Sequence, residues 1–407
     1  MDEVLVTRPL RLLWLAPYSP WPAHGGGRIR LWAVVSRLSS LGVELQVCYP
    51  FSGEVAPDDP PQVTNVEWRS YKGRVPQGKR RKLAALFSRF PEAAWGVTNR
   101  SFQREIRERC TYFDAVVLEQ AHMAPFLAHV PAGIPVILIA QNVEYLLTAQ
   151  MGRRAPRLKT RLRLRLEAVK FRRLERAVFK RAQLIVAMSQ TDKSRILQLV
   201  DKASVAVHPN GVDLTFHAYE PRRQGRGNRL VMTGTLGYAP NLDAAMWIYH
   251  EILPGIRKQV PDACISLVGG FCPSELRLLH DPTLGFDVIG FVDDVRPYMQ
   301  AADVFLMPLR MGGGTRLKAL EAMAAGIPVV STSLGVEGLD LGDPSAVSIG
   351  ETSEELVELC VRLLDDSATR QEQAVHARVV VEENYSWDRI VGALHRDLLR
   401  LLNVRDR

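Results

Sequence analysis

The sequence predicts an α/β protein of two Rossmann-like domains, each built on a parallel sheet, and three observations carry that prediction. Short apolar runs alternate with longer amphipathic stretches along the whole chain, the pattern of repeated strand-and-helix units. The alternation breaks once, after Asp213, where Pro221 to Asn228 is polar, glycine-containing and without periodicity. The chain has 407 residues, more than one ordinary hydrophobic core serves and suited to two domains of about 200 residues each.

The elements follow in order. Leu10–Ala16 reads as a buried strand, and Gly26 to Leu41 as a helix closed by Gly42 as its C-terminal cap. Val43–Tyr49, Ala115–Leu118, Pro135–Ala140 and Gln183–Met188 are the next strands. Between the last two, a helix from about Pro156 to Arg181 carries Leu158, Leu162, Leu166, Val169, Leu174 and Val178 at near-helical spacing. This stripe is expected to pack on the sheet and leave the basic residues in water. The second half offers strands Leu230–Met232, Ala263–Val268, Phe286–Ile289, Val304–Met307 and Pro328–Ser331. Helices are expected over Asn241–Gln259 and Arg316–Ala325, and the tail from Thr352 to Leu402 is mostly helical. The domain boundaries expected from this pattern are 1–215, a linker over 216–228, and 229–385.

Composition narrows the class. Apolar residues make up 47% and charged residues 24% of the chain, the range of a globular protein in water. The five cysteines, Cys48, Cys110, Cys264, Cys272 and Cys360, are scattered and show neither a CxxC pair nor a Cys/His ligand spacing. A reducing, cytoplasmic setting is expected, with no structural metal. The apolar run at Leu10–Ala16 is too short for a leader, and none approaches the roughly 20 residues of a membrane span. Any membrane contact is then peripheral. The net charge of +8 is unevenly placed: Arg153 to Arg181 holds thirteen Lys and Arg against Glu167 and Glu175, a net of +11, leaving about −3 for the rest. Arg69, Lys72, Arg74, Lys79, Arg80, Arg81 and Lys82 form a second basic cluster. The N-terminal half is therefore expected to meet something anionic.

The segment from Asp303 to Thr332 carries the most chemistry. A buried strand ends at Pro308, and a loop with Gly312, Gly313 and Gly314 leads into a helix near Thr315. Glycines let backbone N–H groups approach an anion, and a helix N-terminus supplies unpaired donors and partial positive charge. Arg316 and Lys318 put full positive charges in the first turn, where they oppose the helix dipole, so an anionic partner is called for. Glu321 follows on a helix that is otherwise apolar, where its carboxylate can accept two hydrogen bonds from ribose hydroxyls. A capped surface helix with ordinary charges remains the plainer reading of the same residues.

Here the chain resembles a family. Ala302-Asp303, Pro308 and Glu321-Ala-Met-Ala-Ala-Gly-Ile-Pro-Val-Val resemble the signature of the group 1 glycosyltransferases, glycosyltransferase family 4, of GT-B fold. His208-Pro-Asn-Gly-Val-Asp213, Thr233-Gly-Thr-Leu236 with Pro240-Asn241, and Gly290-Phe-Val-Asp-Asp-Val-Arg-Pro-Tyr298 resemble further blocks of it. Tyr385-Ser-Trp387 resembles the start of the helix, here about 386–407, that returns to the first domain. The resemblance implies two domains facing a central cleft, an acceptor on the first and a nucleotide sugar on the second. It implies that Glu321 holds the ribose, that the backbone at Phe291 and Val292 reads the base, and that Gly234 lies in the donor site. Gly312, Gly313, Gly314, Thr315, Arg316 and Lys318 would face diphosphate or sugar. It also implies retention of anomeric configuration and no required metal or other cofactor beside the nucleoside diphosphate sugar. The family usually carries a glutamate where this chain has Gly313, and a lysine after the Gly-Thr-Leu block where it has Tyr238-Ala-Pro-Asn241. Arg316 and Lys318 are expected to neutralise the diphosphate instead.

In the first domain, Gly25-Gly26-Gly27 before Arg28 resembles the family's glycine loop, with Gly26 and Gly27 near the donor. A tight turn is the plainer account. His122, just past a strand in a position where open α/β sheets build sites, is a candidate catalytic group, with a structural histidine as the alternative. Glu144, after the next strand, is a candidate to bind or polarise the acceptor, and Ser189 a candidate to line the site.

The function expected is transfer of a sugar to a hydroxyl acceptor, lipid-linked where the product is a bacterial surface polysaccharide or glycolipid, at the inner face of the membrane. A soluble natural-product glycosyltransferase, a sugar-nucleotide epimerase of the same fold, and a non-catalytic protein of anionic membranes are the other readings. The basic helix of 153–181 suits an anionic membrane or lipid diphosphate. It offers only Phe171 and Phe179 for stacking, so nucleic acid is not expected.

Overall fold

The computed structural model describes residues 8–23, 25–51, 60–72, 87–155, 157–221, 225, 227–312 and 316–403. Gly313, Gly314 and Thr315 of the glycine loop, Pro156, and Arg74 and Lys79 to Lys82 of the second basic cluster lie outside the described residues. The chain divides into two compact units, Met1–Pro209 with Asp388–Arg407, and Asn210–Trp387.

The first unit is a seven-stranded sheet in the order β3-β2-β1-β4-β5-β6-β7. Its strands are β1 (Arg11–Leu15), β2 (Glu44–Phe51), β3 (Val66–Lys72), β4 (Ala115–Glu119), β5 (Val136–Ala140), β6 (Leu184–Ala187) and β7 (Val205–Val207). The second unit is a six-stranded sheet, β10-β9-β8-β11-β12-β13. It comprises β8 (Arg229–Thr233), β9 (Cys264–Val268), β10 (Phe286–Gly290), β11 (Val304–Met307), β12 (Val329–Ser331) and β13 (Ser348–Ile349). Every pairing between these strands is parallel. The central strands are continuous apolar runs because helices cover both faces of each sheet, so β4, β5, β6 and β11 are buried at every position. Burying each such Val, Leu, Ile or Phe contributes about 1.5–3 kcal/mol. The edge strands β3, β7 and β13 were not apparent from apolar runs: β3 alternates polar and apolar residues and is only half-buried, and β13 is two residues long.

The strand orders locate the sites. In each sheet the order reverses once, between β1 and β4 and between β8 and β11. Loops leaving adjacent strands at a reversal diverge to opposite faces, so a crevice opens at their C-terminal ends. Helix α1 (Gly26–Ser40) starts after the first such loop. It stops at Leu41 because Gly42, at φ 84°, turns the chain into the left-handed region and Val43 N–H donates back to the Leu38 carbonyl.

The long basic helix departs from expectation. It spans Leu158–Arg181 as α4 and pairs with α3 (Glu144–Arg154), the two backbones close enough that a β-carbon on Gly152 would lie 3.2 Å from Leu164 Cβ. Leu174 and Val178 are buried, but Leu158, Leu162, Leu166 and Val169 are exposed. The six are not one stripe: at 100° per residue Leu158 and Leu174 lie about 160° apart around the helix. The buried face is instead Ala168, Phe171, Leu174, Val178 and Phe179, with Lys170 also buried beside Glu167 at 3.2 Å.

Both acids of this helix point inward and satisfy other helices. Glu175 accepts from the N–H groups of Glu144 at 2.7 Å and Tyr145 at 3.0 Å, capping α3, whose own N-cap residue Val143 has no acceptor side chain. Glu167 accepts from the N–H of Glu92 at 2.6 Å, the first residue of the short helix α2 (Glu92–Gly96). Among the described residues no helix is long and apolar enough to cross a membrane. Glu175→Ala is expected to leave two amides of α3 unpaired at a cost of about 1–3 kcal/mol. The check is hydrogen exchange, faster at Glu144 and Tyr145, together with a lower melting temperature.

Candidate functional site

In the second unit the reversal point is built around one lysine. Strand β8 runs directly into Gly234, whose φ of 136° favours glycine. A β-carbon there would lie 2.0 Å from Lys318 Nζ and 2.3 Å from its Cε, so the missing side chain is the space the ammonium occupies. Lys318 stands on α7 (Leu317–Ala324), counting α5 (Gln190–Leu199) and α6 (Ala239–Trp247) before it. Its Nζ donates to Asn241 Oδ1 at 2.8 Å. The Asn241 amide is oriented in turn by donating from Nδ2 to the Thr235 carbonyl at 2.8 Å. Beside this pair, Arg310 forms a bidentate ion pair with Asp243 at 3.0 and 2.9 Å and lies over the Trp247 ring at 4.6 Å.

Glu321 is one helical turn past Lys318 on the same face. Burial draws the Lys318 ammonium down to about 8, against the opposing pull of Glu321 and with a smaller push from Arg316. Burial lifts the Glu321 carboxyl to about 7, with Lys318 working against it. Among the described residues the Glu321 side chain has no hydrogen-bond donor, so its two oxygens remain available to a ligand hydroxyl. Phe291 is exposed at the end of β10, and Val292 is half-buried against the core.

Arg316, expected in the first helical turn, stands just before it. It is the N-cap residue, buried, and its Nε and Nη2 donate to the Leu334 carbonyl at 3.3 and 3.0 Å. A carbonyl at the end of the β12 loop is a fixed acceptor, so this guanidinium ties that loop to the approach of α7. Gly312, at φ 126°, lies under it, 2.9 Å from Arg316 Nη1 to where a β-carbon would be.

The first unit carries a buried polar network at its own reversal point. Glu119, the last residue of β4, is buried and accepts from Trp14 Nε1 at 2.9 Å and from Gln141 Nε2. Gln120 Nε2 donates to Tyr18 Oη at 3.2 Å and to Gln141 Oε1 at 3.0 Å, and Gln141 Nε2 donates to Tyr18 Oη at 3.2 Å. Gly27 lies against this cluster, and a β-carbon on it would sit 2.3 Å from Tyr18 Oη. Gly26 is the first residue of α1. Burial pushes the Glu119 carboxyl up to about 7, partly offset by the charge of buried Arg30. Arg30 donates to the carbonyls of Pro209 at 2.8 Å and His208 at 3.1 Å.

His122 is the second residue of the 3₁₀ stretch after β4 (Ala121–His129), with its ring edge against Phe171 at 5.3 Å and its Nδ1 buried without a hydrogen-bond partner. Glu144 is buried, with Asn142 Nδ2 at 3.4 Å and its own N–H on Glu175. No hydrogen bond joins His122 to Glu144. Ser189 caps a helix: it accepts from Asp192 N–H at 3.0 Å and donates to Asp192 Oδ2 at 2.8 Å at the start of α5. Sequence reasoning placed Gln141 at a strand end but missed Tyr18, Glu119 and Gln120, and the part of Asn241 as acceptor for Lys318. The signal available was a carboxylate directly ending the apolar run of β4, beside a strand bearing a tryptophan whose indole N–H would need an acceptor.

A family model described as Glycosyltransferase Family 4 matches residues 24–216, and one described as Glycosyl transferases group 1 matches residues 227–366. The chain is 28% identical over 246 residues to a GDP-mannose-dependent alpha-(1-6)-phosphatidylinositol monomannoside mannosyltransferase of Mycolicibacterium smegmatis, covering 54% of this chain and 62% of that protein. It is 28% identical over 222 residues to a phosphatidyl-myo-inositol mannosyltransferase of the same organism, covering 53% and 57%. The match thus spans less than two thirds of either relative. In fold it is similar to sucrose-phosphate synthase from Thermosynechococcus elongatus, with a TM-score of 0.75 at 16% identity over 96% of this chain and 99% of that one.

Two outcomes test the second-unit geometry. Gly234→Ala should displace Lys318 and weaken binding of a nucleoside diphosphate sugar by about tenfold or more, about 1.4 kcal/mol, with the fold intact by circular dichroism. Affinity measured against pH should fall as pH rises past about 8, where Lys318 loses its proton, and fall again below about 7, where Glu321 gains one. Lys318→Met should abolish the alkaline limb and move the acid one to higher pH, since Lys318 no longer holds the Glu321 carboxyl down.

Proposed function

We propose that this chain, which belongs to the group 1 glycosyltransferases, glycosyltransferase family 4, of GT-B fold, moves a sugar from a nucleoside diphosphate sugar to an acceptor hydroxyl with retention of anomeric configuration. The observation that carries the reading is the Lys318 ammonium held in the space over Gly234, with the Glu321 carboxylate a turn away and, among the described residues, no donor on it. In this reading Glu321 accepts from the ribose hydroxyls and Lys318 neutralises the diphosphate. In the same reading the backbone at Phe291 and Val292 borders the base, and Gly312 faces the diphosphate or sugar.

The chemistry follows from charge. The bond from the anomeric carbon to the diphosphate oxygen breaks as negative charge grows on that oxygen. A fixed, partly desolvated ammonium stabilises this charge more than water does, since it needs no reorientation. The acceptor hydroxyl bonds to the anomeric carbon on the same face, and its proton passes to the departing diphosphate. No protein nucleophile is required. Within the first unit, Tyr18, Gln120 and Gln141 with Gly27, together with His122 and Glu144, are the groups proposed to hydrogen-bond an acceptor. The relatives' names favour GDP-mannose as donor and a phosphatidylinositol-type lipid as acceptor.

The test is incubation with labelled GDP-mannose and phosphatidylinositol vesicles, followed by separation of lipid and water-soluble products. Label in the lipid, lost in Lys318→Met and Glu321→Gln but retained at reduced melting temperature in Arg316→Ala, is the expected result. An epimerised nucleotide sugar formed without acceptor would replace transfer by epimerisation. Donors can be ranked beforehand by thermal shift, since a ligand at 100 times its Kd stabilises the native state by about 2.7 kcal/mol.

A further inference from the structure

Leu158, Leu162, Leu166 and Val169 are 67%, 55%, 39% and 47% exposed. Their spacings place them within about 80° of one another around α4, a continuous aliphatic stripe on the solvent side. Exposed Lys159 and Arg163 flank it on one side, Arg165 and Arg172 on the other, and Arg173 and Arg176 continue it toward the C-terminus. Arg163 shares Glu92 at 3.3 Å. Among the described residues none of Lys159, Arg165, Arg172, Arg173 and Arg176 belongs to an ion pair. No acid interrupts this face, because the helix's two glutamates are turned inward as caps for α2 and α3.

We propose that this face of α4 docks on an anionic lipid bilayer, with the four aliphatic side chains entering the acyl boundary and the flanking cations resting among the headgroups. The inference deepens the lipid-acceptor reading and rests on it for its setting, but the physics of binding stands without any transfer reaction. Charge complementarity selects the occupant. A second copy would bring two cationic rims together, and a nucleic acid would find aliphatic side chains where bases need aromatic planes. An anionic bilayer alone satisfies both parts of the face: it attracts the rim and dissolves the stripe. The hairpin with α3, closed tightly at Gly152, holds the face rigid before contact, so little ordering is lost on docking.

The experiment is flotation of the full chain, without donor or acceptor, with vesicles of phosphatidylcholine alone or mixed with phosphatidylglycerol. Wild type should float only with phosphatidylglycerol. The triple variant Leu158→Ser, Leu162→Ser, Leu166→Ser and the triple variant Arg165→Gln, Arg172→Gln, Arg173→Gln should each lose binding. Each cation near the surface adds about fivefold, so the second variant should fall on the order of 100-fold. Melting temperatures should stay near wild type, because all six side chains are exposed. An environment-sensitive fluorophore on Leu162→Cys, read against wild type treated identically, should shift to the blue with acidic vesicles. Unchanged binding by the serine variant, equal flotation with neutral vesicles, or no fluorophore shift would each overturn the proposal. So would vesicle-free self-association that the serine variant abolishes, since the stripe would then join copies of the chain. Because no sugar is present, failure here leaves the transfer reading standing, and failure of transfer leaves this one standing.

Discussion

An ammonium drawn partly out of water needs compensation, and the second unit is arranged around that need at Lys318. Its nitrogen has three N–H bonds to place. Asn241 takes one, and Asn241 is itself held by the turn that follows β8. Gly234 makes the approach possible by having no side chain, and Arg310 with Asp243 braces the helix that carries Asn241. The neighbouring carboxylate of Glu321 tempers the loss of hydration without forming a hydrogen bond to close the site. A site left in this condition gains most from a ligand that brings anionic oxygens and hydroxyls together, which is the makeup of a sugar nucleotide.

The parts of this arrangement that could be read from the sequence are those that depend on one short segment. Apolar runs marked the buried central strands, Gly42 marked a helix end, and the span of Lys318 to Glu321 put both groups on one helical face. What depends on pairing across the fold was not legible. The hold of Arg316 on the Leu334 carbonyl could not be read, because the two are 18 residues apart in the chain. Tyr18, Glu119 and Gln141 converge only once β1, β4 and β5 are side by side. The error on α4 has a different origin: a spacing of four residues drifts around the helix, so a pattern that looked continuous over six positions divided into an exposed and a buried set.

That division follows from where the two glutamates go. Glu167 and Glu175 each provide acceptors to amides that begin other helices, which fixes the rotation of α4 about its own axis. With the acids committed inward and Lys170 buried beside Glu167, the remaining cations have only the outer side to occupy. A structural need of two neighbouring helices thereby sets the electrostatic character of a surface.

Each sheet also finishes at one margin in a very short strand, three residues in β7 and two in β13. Such stubs expose few open backbone groups onto which another chain can add. At these two margins that brevity is a safeguard: a neighbouring copy finds too few open groups there to build a continuing ladder.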